Sequence, residues 1–276
     1  MKMKLALRLK NIKQQHSKKL SASFILPVLG FLLFIVIGIA VSFGSTPIPL
    51  GIVTQVLLNG TGIFHFAHSW EGTTDVIIWQ IRMPLVIGAA LVGSALGVAG
   101  TLFQGMFRNP LADPYLLGTS SGAALGAAIS FILPIDTFAN FSFSLTALLA
   151  FVGAMLTVLF VYAIARIGAG AQTPIVTLLL AGVVVNAVLI ACQTLILTFR
   201  PPAQVSVYQS LFNWLSGGVS VTSWTSLFIV ALFIFVGLIA GLALAGVLDV
   251  FALGEESAAH LGLHVEWYKF IIVVVA

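Results

Sequence analysis

The side chains able to do chemistry are few, and the densest group of them is Leu253-Gly254-Glu255-Glu256-Ser257-Ala258-Ala259-His260-Leu261-Gly262-Leu263. Gly254 and Gly262 can bracket a helix of about seven residues, with the second glycine ending it in the left-handed conformation. Glu255 and Glu256 would then sit at its positive amino end, and Ala258 and Leu261 would give it a small apolar face. A helix this short is marginal in water by itself, so it rests on something. The residues suit a partner-docking element and an ordinary capped loop alike. His260 and His264 have helical spacing, but Gly262 lies between them. His65 and His68 supply two ligands where zinc takes four. No metal site, cofactor or catalytic residue is expected. Cys192 is the single cysteine, which excludes an intrachain disulfide and reads as a packing residue. The phosphate-cradling pattern Gly-x-x-x-x-Gly-Lys-Ser/Thr does not occur.

The elements that must position these groups are apolar. Of 276 residues, 60% are apolar and 7% charged, against about 25% charged in a soluble domain. So few charges cannot face water, and lipid must be the solvent for most of the surface. Seven of the 12 Lys and Arg residues precede the first apolar run: Lys2, Lys4, Arg8, Lys10, Lys13, Lys18 and Lys19. This basic head reads as the signal that keeps the amino terminus in the cytoplasm, and not as a nucleic-acid-binding patch.

A helix needs about 20 apolar residues to cross the hydrocarbon core. Six runs meet that length, at roughly 24–43, 83–107, 115–135, 143–165, 174–199 and 225–248. A seventh begins near Trp267 and reaches Ala276 in about ten residues, too few to span. The expectation is an all-α polytopic bundle that forms the amino-terminal part of a longer protein. With the amino terminus inside, the inner side receives the basic head, Arg108, Arg166 and Lys269, and the outer side only Arg82 and Arg200.

Prolines mark helix ends. Pro84 and Pro174 are expected in first turns. Asn109-Pro110 and Asp113-Pro114 should stop the second span near Phe107 and bend the chain, with Asp113 capping the next helix. Small residues at four-residue spacing, Gly93 and Gly97, then Gly118, Gly122 and Gly126, then Gly237 and Gly241, predict close helix contact. Ile48 to Leu58 and Gln204 to Ser216 have the pattern of helices lying at the membrane surface or dipping into a pore mouth. None of the six runs contains Asp, Glu, Lys, Arg or His, which argues against a proton relay. The polar groups inside them are mild: Gln104, Asn186, Gln193 and some Ser and Thr.

Four stretches bear on these alternatives. Trp79-Gln80-Ile81-Arg82-Met83-Pro84 resembles the Arg-Leu-Pro-Arg start of the second helix in the FecCD family of ATP-binding-cassette (ABC) importer permeases. Leu85 stands where many relatives carry a second arginine. Asn109-Pro110-Leu111-Ala112-Asp113-Pro114 with Leu117-Gly118 and Ser121-Gly122-Ala123 is similar to that family's inner loop and third helix. Leu178 to Gly182 resembles part of its fifth helix, and Leu253-Gly254-Glu255-Glu256 with Ala258, Leu261 and Gly262 its loop between helices six and seven.

The resemblance implies a permease of about ten helices in the bacterial inner membrane. It also implies a homodimer, served by ABC ATPase subunits on the cytoplasmic side and by an extracytoplasmic substrate-binding protein, with a metal chelate (iron–siderophore, haem or cobalamin) as cargo and no nucleic acid. Residues 1–22 would be the cytoplasmic head and 23–276 the permease domain, with an ATPase-coupling loop at about 249–265. In that loop Leu253, Gly254, Glu255, Glu256, Ala258, Leu261 and Gly262 carry the match. Arg82 would dock the binding protein. Thr173, Pro174, Ile175, Val176, Thr177 and Asn186 would belong to the pathway and inner gate, and Ser206 to Gly217 would line the outer mouth. Asn109, Pro110, Asp113, Pro114, Gly118 and Gly122 would shape the inner loop. The competing reading is an ion-coupled carrier or channel that needs no ATPase.

Overall fold

A computed structural model of the chain describes residues 22–64, 66, 70–131, 145–169, 173–198, 205–218, 221 and 223–276. The basic head, His65, His68, Arg200 and Gln204 lie outside the described residues. All regular structure among the described residues is helical. The chain divides into two compact units, Met1–Val86 and Ile87–Ala276.

The first unit contains α1 (Ala22–Ser42), α2 (Leu50–Gly60) and the start of α3 (Gly72–Phe107). At about 1.5 Å per residue, the 21 residues of α1 reach roughly 31 Å, one hydrocarbon thickness. Phe24, Phe31 and Phe34 project from it, exposed. The helix α2 was expected to lie at the membrane surface or to dip into a pore mouth. Its apolar face instead meets protein, because Val53 and Val56 are buried with Ile48, Val41 and Ile78. Pro84 was expected in the first turn of a helix, yet α3 begins at Gly72. The chain tolerates this because Ile77–Arg82 widens into a π turn, with the Met83 N–H donating to the carbonyl of Ile78. A proline ring otherwise clashes with the carbonyl four residues earlier and removes a helical bond, and the π turn gives that carbonyl room.

In the second unit α3 ends in a Schellman turn. Arg108 adopts φ 50°, the Arg108 N–H donates to Gly105 at 3.3 Å and the Asn109 N–H to Gln104 at 3.2 Å. Then follow α4 (Thr119–Ser130), α5 (Leu145–Ala169), α6 (Ile175–Thr198), α7 (Val205–Leu215), α8 (Trp224–Ala243), α9 (Ala245–Ala252), α10 (Glu255–His260) and α11 (Val265–Val275). The core joins Leu102, Phe103 and Met106 of α3 to Val161 and Tyr162 of α5, Leu178 of α6, Phe251 of α9 and Ile272 of α11.

Among the described residues five helices are long and apolar enough to span: α1, α3, α5, α6 and α8. Six had been expected. The third run yields the 12-residue α4, about 18 Å long and short of a bilayer. A 3-10 turn at Pro114–Leu117 and a left-handed Gly118 (φ 77°) take up its first residues, and residues 132–144 are not described. The last run also breaks. Leu244, buried in the core, ends α8, and α9 resumes from it to carry Phe251 inward. Large apolar side chains stand exposed along the long helices, among them Leu180, Phe228 and Leu242. In water such faces would aggregate, and in hydrocarbon they are the ordinary surface. Cys192 belongs to this exposed set and is not packed inside.

The expected glycine contacts divide. Along α4 and α5, four-residue rows face each other. A Cβ on Gly122 would lie 2.6 Å from the Gly153 carbonyl, one on Gly153 would strike the Gly122 carbonyl, and one on Gly126 would strike that of Leu149. Gly241 of α8 closes on Val98 of α3 at 2.5 Å. Gly93, Gly97 and Gly237 meet nothing within 4 Å.

Gly153→Ala should therefore destabilise the fold by about 1–3 kcal/mol, as overpacking does. Gly97→Ala should stay within about 0.5 kcal/mol of the parent or gain slightly from helix propensity. Thermal melts in detergent compare the two, and a Gly153→Ala protein that melts with its parent would contradict the α4–α5 approach.

Candidate functional site

The segment singled out for its carboxylates and glycines forms the expected short helix. Gly254 (φ 106°) precedes α10 and Gly262 (φ 86°) terminates it. The Gly262 N–H donates to Ala259 at 2.9 Å and the Leu263 N–H to Ala258 at 3.0 Å, the pair of bonds that defines a Schellman end. Both glycines hold dihedrals that side chains resist, and a Cβ on Gly254 would also approach the Arg108 guanidinium at 3.3 Å. Ala258 is fully buried and seats the helix on its own unit. Leu261 was expected on that same face but points outward, 66% exposed, as does Leu253 at 63%. Glu256 is exposed as well. A cavity of about 1200 Å³ opens beside α10, with Arg108, Arg166, Glu255, Glu256 and Glu266 on its walls.

Lys269 of α11 lies behind α10, only 2% exposed. Its ammonium donates to Glu255 Oε2 at 2.7 Å, to Glu266 Oε1 at 3.0 Å and to the Thr173 carbonyl at 2.9 Å. An ammonium has three N–H donors, and here each has an acceptor. Glu266 Oε1 also accepts the Thr173 N–H at 3.1 Å. The Tyr162 hydroxyl donates to the Glu266 carbonyl at 3.0 Å. The backbone of Thr173 is thus held on both sides by an ion pair rooted in α11.

Thr173 opens the segment that the family resemblance would place at the gate. Pro174 precedes α6, and its carbonyl accepts from Leu178 at 3.2 Å. Ile175 and Thr177 are half-buried and Val176 is exposed. Asn186 lies further along α6, half-buried, and its Oδ1 has no hydrogen-bond partner among the described residues. Across the inner loop, Asn109 Oδ1 accepts from Leu111 at 2.9 Å, and Pro110 follows in a tight turn. Asp113 Oδ1 accepts from Tyr115 at 2.8 Å, with Pro114 at the first position of the 3-10 turn. Trp214 of α7 lines a second cavity, of about 450 Å³, with Tyr115, Ser121 and Gln193.

In the first unit Arg82 is 7% exposed and turned into the chain. One guanidinium nitrogen donates to the carbonyls of Val41 at 2.7 Å and Ser42 at 3.1 Å. The other donates to the carbonyl of Thr46 and to its hydroxyl. The Val41 and Ser42 carbonyls lie at the negative end of α1, where a cation is favoured, and Ser42 also accepts the Ile48 N–H at 3.1 Å. A Cβ on Gly44 would lie 2.9 Å from the guanidinium, so the loop needs glycine there. In this arrangement both terminal nitrogens of Arg82 are engaged within its own unit.

Residues 31–276 match the profile of the FecCD transport family. The chain belongs to that family. It is 33% identical over 250 residues to the uncharacterized ABC transporter permease protein YvrB of Bacillus subtilis, covering 90% of this chain and 68% of that one. The hemin transport system permease protein HmuU of Yersinia pestis is 35% identical over 76% of this chain and 63% of its own length. The cobalamin import system permease protein BtuC of Halobacterium salinarum is 35% identical over 74% and 52% respectively. The chain therefore spans about half to two thirds of the length of these curated relatives. A solved ABC transporter assigned to the metal-chelate type, in an inward-facing conformation, superposes with a TM-score of 0.71 over 92% of this chain and 72% of that one. At 21% identity this likeness shows the fold alone. With its long apolar helices, this FecCD member is a multi-pass membrane protein.

Reading the sequence alone counted Lys269 only as an inner positive charge. A usable signal was present, because Lys269 sits three residues after Glu266 in an otherwise apolar run, and an ionisable group in such a run needs a partner.

Arg82→Ala should remove the guanidinium from the carbonyls of Val41 and Thr46, costing about 1–3 kcal/mol, and should speed amide exchange across residues 43–48. Unchanged exchange would mean that the guanidinium does not hold this loop.

Proposed function

We propose that the chain is the transmembrane permease subunit of an ABC importer in the cytoplasmic membrane, carrying an iron–siderophore, haem or cobalamin by alternating access. Its relatives are named as hemin and cobalamin permeases, and that is the chemistry brought over here. The observation that carries the reading is α10, six residues held between two left-handed glycines, with Leu253, Glu256 and Leu261 turned away from the fold. An apolar and acidic ridge on a short rigid helix suits a groove on a partner. Here that partner is the ATPase, on the cytoplasmic side together with the amino terminus. A substrate-binding protein delivers the chelate from outside, and a second copy of the chain completes the pathway. A ligand shifts a conformational equilibrium only by binding its states differently. ATP, bound by the partner, supplies that bias, and the permease performs no covalent step.

The structure sharpens which carboxylate tests docking. Glu255 is tied to buried Lys269, so a lysine there would face a second ammonium. Glu256 is exposed and can be changed without touching that pair. Glu256→Lys is expected to weaken co-purification of the ATPase about tenfold or more while the melting midpoint holds, since rejection of a like charge at an interface is worth several kcal/mol. Full retention of the ATPase would count against α10 as the contact.

Two further measurements bear on the reading as a whole. In liposomes holding the native permease with its ATPase and binding protein, uptake of haem, cobalamin or a ferric hydroxamate should require ATP. Uptake driven by a sodium gradient with no ATPase present would overturn the proposal. With Cys192 replaced by Ala, a cysteine at the exposed Ser257 should react with an impermeant maleimide only from the cytoplasmic side.

A further inference from the structure

Lys269 joins three separate pieces of chain. Glu255 opens α10, Glu266 lies in the first turn of α11, and Thr173 stands immediately before Pro174 and α6. The three bonds are 2.7 to 3.0 Å long and all involve the charged ammonium. Bonds of that kind are short and about twice as strong as neutral ones. Nothing in local folding requires this convergence. Glu266, three residues from Lys269 on α11, would by itself give the ammonium a counter-ion. The further bonds tie α11 to a surface helix on one side and to a gate peptide on the other. Glu255 is 32% exposed at the wall of the large cavity and Lys269 is 2% exposed behind it. One end of the chain of bonds therefore reaches the surface that an ATPase would touch, and the other holds the backbone of α6 at its start.

Resting on the permease reading above, we propose that Lys269 is a positioning residue: a strut that passes displacement of the coupling helix α10, through Glu255, to Thr173 and the amino end of α6. The ammonium is the only cation bonded to Glu255 or Glu266 among the described residues. It is held to Glu255 by a charged bond of 2.7 Å and to Glu266 by one of 3.0 Å. When α10 moves, Lys269 follows Glu255, and the peptide of Thr173, bonded to Lys269 through its carbonyl and to Glu266 through its N–H, is drawn along. Glu266 Oε2 has no hydrogen-bond partner among the described residues. It offers the same ammonium a second acceptor within the same carboxylate, so the strut can rotate during the stroke without losing its counter-ion.

The test uses the native permease assembled with its ATPase and binding protein in liposomes. It reads molecules of probe imported per ATP hydrolysed, with a ferric hydroxamate, haem and cyanocobalamin as probes. The unmutated assembly is scored first. If its ATPase does not bind, the permease reading falls and this inference falls with it. Given a working assembly, Glu255→Gln is the decisive variant. It keeps the Lys269–Glu266 pair and hence the fold, but replaces the charged link to α10 by a neutral one. The ATPase should still co-purify, and import per ATP should drop at least about fivefold, the lower end of ordinary coupling between sites. Lys269→Met should drop it further and Lys269→Arg should restore most of it, because the guanidinium keeps both the charge and the donors. A merely structural lysine would lower yield or melting midpoint and leave the ratio alone. An unchanged ratio in Glu255→Gln overturns the strut, whatever becomes of Lys269→Met.

Discussion

With hydrocarbon outside, every polar group in the helical layer must find its partner inside the protein. That constraint organises the whole chain. Hydroxyls of Thr101, Thr157, Thr194 and Thr198 bend back to the carbonyl four residues earlier. The end of α3 closes in a Schellman turn although its left-handed position is an arginine. The end of α1 has no such turn and takes the guanidinium of Arg82 instead. Lys269 satisfies the same rule with three acceptors from three segments. The two most buried cations of the described chain are therefore its chief cross-links.

Close approach of backbones answers a second consequence of the same solvent. Lipid is as apolar as leucine, so helices in it gain little from burying leucine against leucine and more from fitting together. The α4–α5 contact shows how: Gly122, Gly126 and Gly153 bring carbonyls where a methyl group would not fit. This seats the short α4 against a spanning helix. Gly182 does the same for α6, where a Cβ would strike the carbonyl of Leu116 in the 3-10 turn. The start of α6, held at Thr173, and its middle, pressed on the inner loop at Gly182, are thus both fixed within the second unit.

How much of this was legible depended on range. The glycine brackets of α10 could be read because a left-handed terminator is a local demand, satisfied within a few residues. The Asn109 and Asp113 turns were readable for the same reason. Long apolar runs gave the spanning helices, but not the start of α3. The effect of Pro84 depends on whether the preceding turn can widen, and composition does not reveal that. Glycine spacing predicted contact equally for Gly93, Gly97, Gly122 and Gly126, and only the last two have a helix against them among the described residues. Spacing identifies a strip capable of contact, while the partner comes from tertiary arrangement. The strut was least readable, since Lys269 lies 96 residues from Thr173 and 14 from Glu255, beyond any periodicity.

Magnitudes decide what kind of device the Lys269 cluster can be. Coupling between distant sites in proteins is usually worth about 1–3 kcal/mol. Breaking a buried ion pair by removing one partner costs about 3–5 kcal/mol, because a charge is left unpaired. Opening the bond between Lys269 and Glu255 would cost less than that, because Lys269 keeps Glu266 as counter-ion and Glu255, 32% exposed, meets water. Kept intact, the same bond costs nothing during the stroke and carries force in both directions. Arg82 makes the contrast plain. Its bonds all run to the end of α1 and the loop beyond it, within one unit, so it can only stiffen what it touches. Lys269 reaches from a surface helix to the first residue before α6, and that placement, more than its charge, is what allows a movement made at one end to appear at the other.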